Sequence, residues 1–204
     1  MGGQRAVRHL PPLLFTRHAA AIVASHCASP RRSAKNLRLD HAGRFGDGEG
    51  RDGVWLAEQG WSVTSLDYSQ EGIAKTQQLA TQRGVALETI CADASQWDYP
   101  EAHFDLIVLF YFHLPREAAK VAHRGCVKAL RPGGRLILEG FRKEQMPLSS
   151  GGPRVEDWVY SAEEINEDFG TLDARISRAV GRVLREGRLH GSAAVYQYVG
   201  HKAE

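Results

Sequence analysis

The sequence predicts one α/β domain on a mostly parallel sheet that ends in an antiparallel hairpin. Three observations predict this fold. From about Phe45 onward, strand-like and helix-like segments alternate, each bounded by its own turn residues. The segment Phe104–Phe110 is almost wholly apolar, as in a strand buried on both faces of a parallel sheet. Two β-like stretches close the chain with only a turn region between them, which favours a hairpin over a further strand-helix-strand unit.

The first elements of this domain surround a glycine-rich loop over residues 46–53. A short helix follows the loop and stops at Gly60, because glycine at this position ends helices. A strand over residues 61–66 comes next, and Asp67 stands at its end.

A longer helix and a third strand follow. Ser69 is a predicted N-cap of the helix, since its hydroxyl can accept from a free backbone N–H, and Gly84 closes the helix. Residues 85–91 alternate in hydrophobicity at period two, which predicts a strand that leads to Asp93.

The apolar strand Phe104–Phe110 is predicted to lie in the middle of the sheet. Pro115 suits the first turn of the next helix, where its missing N–H costs nothing. Residues 131–134, Arg-Pro-Gly-Gly, end that helix, and residues 135–141 form another strand.

The last part of the domain begins with a polar loop over residues 142–158. A short helix over Ala162–Phe169 follows. Two β-like stretches, residues 174–184 and 193–199, then form the hairpin, with a turn region over residues 187–191.

Charge divides the chain into two unlike segments. Residues 1–44 hold 8 Lys or Arg and 1 acid, whereas residues 45–204 hold 18 Lys or Arg and 23 acids, within a formal total of +2. We therefore treat 1–44 as an atypical basic N-terminal segment and 45–204 as the folded domain. A transit peptide, a basic arm for nucleic acid, a disordered segment and a start not native to the rest of the chain are open interpretations of the first segment.

Several classes of protein are disfavoured by composition. No apolar stretch approaches the ~20 residues that a membrane span needs. Cys27, Cys91 and Cys126 are odd in number and widely spaced, so neither a disulfide framework nor a metal site is expected. The default location is the reducing cytoplasm.

The glycine-rich loop and the ends of two strands hold the candidate ligand-binding residues. Gly46, Gly48 and Gly50 can take positive φ and let the backbone approach a ligand closely. Asp67 at the end of one strand can accept hydrogen bonds from both hydroxyls of a ribose, and Asp93 at the end of the next strand can reach the exocyclic amine of an adenine. Ligands of open α/β sheets lie outside the carboxyl ends of the strands. These residues therefore predict a site for an adenosine-containing cofactor.

Two cofactors satisfy this description. Gly48 and Gly53 fit a G-x-G-x-x-G pattern with Asp67 19 residues after Gly48, close to the ~20 residues of a dinucleotide fold. The overlapping Gly46, the position of Asp93 and the final hairpin favour S-adenosylmethionine (SAM) instead. An NAD(P)-dependent oxidoreductase stays open as the alternative.

The sequence resembles the class I SAM-dependent methyltransferases, most closely the small bacterial proteins of tellurite-resistance and thiopurine type. The resemblance covers about residues 45–202. Its motifs are GDGEGRDGVWLA (46–57), VTSLDYS (63–69), CAD (91–93), HLP (113–115) and LRPGG (130–134).

The resemblance implies a Rossmann-like sheet and transfer of a methyl group from SAM to a small-molecule acceptor with a soft or polarisable nucleophile, such as sulfur, selenium, tellurium or nitrogen. It also implies a role for each matching residue. Gly46, Gly48 and Gly50 line the methionine part of SAM, Asp67 holds the ribose, Tyr68 lies against the adenine, Asp93 and Ala94 contact its edge, and Phe110 offers backbone to the amino-acid end. The excess of acids in residues 45–204 does not favour a nucleic-acid acceptor.

His113 is the candidate for a catalytic role. It follows the central strand and could accept a proton from the acceptor or orient it. The alternative is that this histidine simply caps local backbone at a strand-to-helix junction.

Arg44 marks a departure from the family pattern. The family has an apolar first strand that ends in an acidic residue two positions before the first glycine, and Arg44 occupies that position here. Asp40 would fit if residues 41–44 were absent. Either four inserted residues displace the strand, or residues 1–44 are not the family's native start. The second interpretation implies a poorly formed first strand and a degenerate SAM-binding protein with reduced or lost activity.

Overall fold

The computed structural model describes Val23, residues 40–186 and residues 189–204. The strands are β1 (His41–Phe45), β2 (Ser62–Asp67), β3 (Glu88–Cys91), β4 (Phe104–Phe110), β5 (Leu130–Phe141), β6 (Asp173–Glu186) and β7 (Leu189–His201). The helices are α1 (Arg51–Glu58), α2 (Gln70–Arg83), α3 (Arg116–Ala129) and α4 (Ala162–Phe169), with two 3-10 turns at Lys143–Gln145 and Glu156–Trp158.

In the described part of the chain, the strands form one seven-stranded sheet in the order β3-β2-β1-β4-β5-β7-β6. The pairs from β3 to β5 are parallel, whereas β7 runs antiparallel to both β5 and β6. The predicted mostly parallel sheet with a terminal hairpin is therefore confirmed. β4 lies at the centre of the sheet, as its apolar sequence predicts.

β1 forms where the sequence shows no apolar strand. It pairs with β2 from His41 to Phe45 and with β4 from Ala42 to Arg44. Gly43 leaves room for the Phe45 ring, because a Cβ on Gly43 would lie 2.7 Å from it. β1 leads directly into Gly46, and a boundary at residue 45 would cut the strand. The division of the chain into 1–44 and 45–204 stays a prediction, and its basic segment lies outside the described residues apart from Val23 and residues 40–44.

Local capping signals place the helices as predicted. The Ser69 hydroxyl accepts from the backbone N–H of Gly72 at 3.1 Å, and Gly84 ends α2 with φ +68°. α4 covers the predicted residues and begins with a capping box, in which Ser161 and Glu164 each accept from the other's backbone N–H.

Several element starts differ from the predictions, and β7 begins at Leu189 rather than at residue 193. β3 begins three residues later than residue 85, because the N–H of Val85 bonds back to the carbonyl of Ala80 at the end of α2. β5 already begins at Leu130, which pairs with Phe104 before the register shifts. Pro115 is the cap residue immediately before α3 rather than part of its first turn.

The sheet is covered on both faces. Leu136 and Leu138 of β5 join a core with Ala122 of α3 and Phe169 of α4. Ile137 points to the other face, where the core includes Leu56 of α1 and Val23. Among the described residues, none of the helices is both long and apolar enough to cross a membrane.

Candidate functional site

The glycine loop between β1 and α1 takes the backbone conformation that the sequence predicts. Gly46, Gly48 and Gly50 have φ of +66°, +61° and +79°. A Cβ on Gly46 would lie 2.6 Å from the Phe112 ring, and one on Gly50 would lie 2.5 Å from Thr76. A Cβ on Gly48 would meet no atom within 4 Å. Gly48 therefore borders open space at the carboxyl edge of the sheet.

Asp67, the last residue of β2, is bonded to this loop. The N–H of Gly48 donates to Oδ2 at 2.7 Å, and the N–H of Ser69 donates to Oδ1 at 2.8 Å. A carboxylate has about four acceptor positions, so two remain available to hydroxyl donors of a ligand. The adjacent residue Tyr68 is 79% exposed and lies on the surface at the same edge.

Asp93 and Ala94 lie beyond the end of β3. One carboxylate oxygen of Asp93 accepts from the N–H and the hydroxyl of Ser95, and the other accepts from Gln96. The Ser95 bonds hold the pKa of Asp93 below its usual value. Ala94 is buried, and its carbonyl accepts from the Tyr99 hydroxyl at 3.0 Å. Asp93 thus stays ionised while it caps a local turn.

The end of β4 faces the glycine loop across the centre of the sheet. Phe110 is buried, and Tyr111 beyond it has φ +51°. Positive φ is uncommon for a residue other than glycine. The Tyr111 ring packs 4.9 Å from that of Phe141, and its hydroxyl donates to Glu139 at 3.3 Å. Tyr111 is not among the predicted site residues, since its only signal in the sequence is its position directly after the central strand.

The side chain of Arg44 lies at this same edge of the sheet, beside the ends of β1 and β4. The side chain is 4% exposed, and its guanidinium donates twice to Oδ2 of Asp52, at 3.1 and 2.8 Å. It also donates to the carbonyl of Phe45, and to the carbonyl of Phe110 at 3.1 Å. Arg44, which in the sequence is only a departure from the family pattern, is therefore part of the site.

Asp47 lies beneath the loop, fully buried. Its carboxylate accepts from the Ser65 hydroxyl at 2.8 Å and from the N–H of Gly53 at 3.3 Å, and the Arg44 guanidinium lies 3.6 Å away. Burial raises the pKa of Asp47 to about 6 against the opposing effect of Arg44. This network holds the loop to β1, β2 and α1.

His113 is half-buried, and both ring nitrogens have backbone partners. The N–H of Phe141 donates to Nε2 at 3.1 Å, so Nδ1 carries the proton and donates to the carbonyl of Trp158 at 2.9 Å. Burial lowers the pKa of His113 to about 4. The ring stacks on Phe141 at 5.6 Å. These contacts favour the backbone-capping alternative, and the catalytic role stays a prediction.

The site therefore lies at the carboxyl edge, where β1 has β2 on one side and β4 on the other. This change in strand order is the switch point at which open α/β sheets bind ligands. Backbone N–H groups, the Asp67 carboxylate and the exposed Tyr68 ring can hold a nucleoside there. No group of three or more His, Cys, Asp or Glu side chains is placed to hold a metal ion in the described part of the chain.

Comparisons with known proteins agree with this geometry. Residues 44–134 match the family described as a methyltransferase domain. A ubiquinone/menaquinone biosynthesis C-methyltransferase of Pseudomonas putida is 29% identical over 119 residues, which are 57% of this chain and 46% of the relative. The chain thus matches about half the length of the curated relatives.

Solved structures share the fold at low identity. TehB from Haemophilus influenzae has a TM-score of 0.72 at 16% identity, covering 93% of this chain and 63% of TehB. A SAM-dependent methyltransferase from Methanosarcina mazei has a TM-score of 0.69 at 16% identity, covering 89% of this chain and 97% of that protein. The resemblance to methyltransferases and the predicted fold are confirmed.

Proposed function

We propose, on the premise that residues 44–134 carry a methyltransferase domain, that the chain transfers a methyl group from SAM to a small-molecule acceptor. The observation that carries the proposal is the contact between Gly48 and Asp67 beside the open space at the switch point. It offers a carboxylate for ribose hydroxyls next to backbone that a ligand can approach.

The strand order supports SAM over a dinucleotide. A dinucleotide fold would continue with parallel strands beyond β5, whereas here β7 inserts antiparallel between β5 and β6. Asp67 fits the ribose of an adenosine, Gly48 bonded to it would line the methionine part, and the exposed Tyr68 is available to lie against the base. The predicted roles of Gly46, Gly50, Asp93, Ala94 and Phe110 belong to the same proposal.

The residues of this chain would act mainly by positioning. SAM supplies a methyl group that its sulfonium already activates. Asp67 would fix the adenosine and the glycine loop the methionine part, and the edge formed by Phe110, Tyr111 and Phe141 would exclude water from the acceptor side. Orientation and desolvation can provide most of the acceleration of such a displacement, without a nucleophile on the protein.

The acceptor that we propose is a small molecule with a polarisable nucleophile, rather than nucleic acid. The negative balance of residues 45–204 supports this choice, since phosphate backbones attract basic surfaces. The proposal includes a cytoplasmic location, with which the free thiols Cys91 and Cys126 are compatible.

Calorimetric titration of the whole chain with SAM, S-adenosylhomocysteine, NAD⁺ and NADP⁺ tests the proposal. We expect binding of the two adenosyl ligands only. Saturable binding of either dinucleotide alone would favour an oxidoreductase. Binding of SAM without methyl transfer to any of a panel of thiols, amines, selenite and tellurite would favour a degenerate protein.

Cys91 provides an independent measure of where SAM binds. Its thiol is exposed and lies 3.5 Å from the carbonyl of Tyr68. An adenosine held by Asp67 should slow the reaction of this thiol with a maleimide. Cys91→Ser gives the background from the other cysteines, and full reactivity of Cys91 at saturating SAM would contradict the proposed position.

A further inference from the structure

The Arg44 guanidinium bridges the two strands that flank the switch point. Arg44 belongs to β1, and its Nη2 lies 3.1 Å from the carbonyl oxygen of Phe110 at the end of β4. The guanidinium carbon lies 5.9 Å from the centre of the Phe110 ring. A cation is therefore built into the place where the proposed function puts the amino-acid end of SAM.

The donors of this guanidinium are largely used by the protein. Nε and Nη2 donate to Asp52, Nη2 also donates to Phe110, and Nη1 donates to the carbonyl of Phe45. Arginine has five N–H donors, so only one remains on Nη1. Asp47 lies 3.6 Å from Nε on the buried side. The guanidinium therefore has only this one N–H on Nη1 with which to bind a ligand carboxylate.

A ligand ammonium group would need the acceptors that Arg44 already holds. Backbone carbonyls at the ends of β1 and β4 and the Asp52 carboxylate are the acceptors at this point of the edge. A second cation beside Arg44 would also meet like-charge repulsion in a site with little water to screen it. We infer that Arg44 competes with the ammonium group of SAM for the carbonyl of Phe110 and so sets the affinity for the cofactor. This inference rests on the proposed function.

The inference predicts a dependence on ligand structure. SAM and S-adenosylhomocysteine both carry the ammonium group, whereas 5′-methylthioadenosine keeps the adenosine and lacks the amino acid. Arg44 should therefore weaken binding of the first two ligands and leave the third unaffected.

The experiment compares Asp47→Asn with the double variant Arg44→Met/Asp47→Asn. The change to asparagine avoids leaving the buried Asp47 carboxylate without its counter-ion Arg44, which would risk unfolding the protein. We expect the double variant to bind SAM and S-adenosylhomocysteine about tenfold more tightly than Asp47→Asn, as for one charge-assisted hydrogen bond regained. Its affinity for 5′-methylthioadenosine should change by less than about twofold on the same scale. Circular dichroism confirms that both variants are folded.

Arg44→Lys is the second variant, for the case that the double variant does not fold. Its ammonium keeps the charge beside Asp47 but cannot reach Asp52 and Phe110 together, so we expect about a threefold gain for SAM. Weaker binding of SAM on loss of Arg44 would show that the arginine holds the ligand carboxylate, and would overturn the inference. Equal gains for all three ligands, or no gain, would overturn it too.

The three ligands distinguish a failure of the inference about Arg44 from a failure of the proposed function. If the parent binds 5′-methylthioadenosine and SAM with affinities that Arg44 does not influence, the proposed function stands and the inference fails. If neither the parent nor any variant binds an adenosyl ligand, the proposed function fails and the inference with it.

Discussion

The backbone N–H of Gly48 donates to the carboxylate of Asp67 across 2.7 Å, and this hydrogen bond joins the glycine loop to the end of β2. Asp67→Ala removes both this contact and the acceptors proposed for the ribose. We expect SAM affinity to fall by about a hundredfold or more, since hydrogen bonds to a charged group contribute about 1.5–3 kcal/mol each. Calorimetry measures the change. Asp98→Ala, at a fully exposed carboxylate that pairs with Lys128, is the matched control; an equal loss there would contradict the assignment.

Two glycines of the loop should respond differently to alanine. A Cβ on Gly50 would clash with Thr76 at 2.5 Å, so Gly50→Ala should lower the free energy of unfolding by about 2–4 kcal/mol. A Cβ on Gly48 would enter open space, so Gly48→Ala should cost about 1–2 kcal/mol for its positive φ and should mainly weaken SAM binding. Urea unfolding and titration separate the effects. Unchanged SAM affinity in folded Gly48→Ala would place the cofactor elsewhere.

Much of this fold could be predicted because its signals are local. Ser69 and Gly84 mark the ends of α2, and the apolar run of β4 places that strand at the centre of the sheet. β1 could not be predicted, because its side chains show no strand-like alternation and its strand form comes from pairing with β2 and β4. The site, too, is only partly predictable. The spacing of its glycines and acids in the sequence predicts their positions, whereas the direction of the Arg44 side chain and the positive φ of Tyr111 depend on neighbours distant in sequence.

The pKa of His113 predicts a pH dependence of stability. Because the pKa is about 4 in the folded state and 6.5 in the unfolded state, only the unfolded chain gains this proton between these values. The contribution of His113 to the free energy of unfolding should therefore fall as pH decreases from about 6.5 towards 4, by up to about 1.4 kcal/mol per pH unit. Urea unfolding of the parent and His113→Phe at several pH values isolates this contribution.

The same variant separates the two interpretations of His113. Loss of the acceptor for the Phe141 N–H should cost about 1–3 kcal/mol of stability. If the histidine only caps backbone, methyl transfer by the folded fraction should stay within about threefold of the parent. A loss of a hundredfold or more in folded protein would support the catalytic role.

Asp47 should produce a pH dependence of the opposite sign. Its pKa is about 6 in the folded state against a usual 3.8, so the folded chain holds the extra proton between these values. The contribution of Asp47 to stability should therefore rise as pH falls from about 6 towards 3.8. Asp47→Asn should remove this rise. Unfolding curves of the variant that keep the full pH response of the parent would assign the response to other groups.

The side chain of Gln145 connects the loop after β5 to the hairpin by hydrogen bonds. Its buried amide donates to the Ser150 hydroxyl at 2.8 Å and to the carbonyl of Gly151 at 2.9 Å, and accepts from the N–H of Ala194 at 2.9 Å. Gln145→Leu leaves these buried groups unpaired and should cost about 2–3 kcal/mol.

Limited trypsin digestion provides a local readout for this variant. The exposed Arg154 lies in the same loop and should be cleaved faster when Gln145 is lost. Gln77→Leu, at an exposed side chain that bonds Thr89, is the control and should leave both stability and cleavage unchanged. Equal cleavage rates in the two variants would show that other contacts fasten the loop.

The position of β6 at the edge of the sheet affects whether copies of this protein aggregate at high concentration. Among the described residues no strand pairs with the outer side of β6, and a strand of 14 residues with one open side is a template on which a second chain can add a strand. Arginines recur along it at positions 175, 178, 182 and 185, and Arg175 and Arg185 are exposed. Like charges facing each other across two such edges repel. The hairpin that completes the fold therefore carries its own protection against strand-by-strand aggregation.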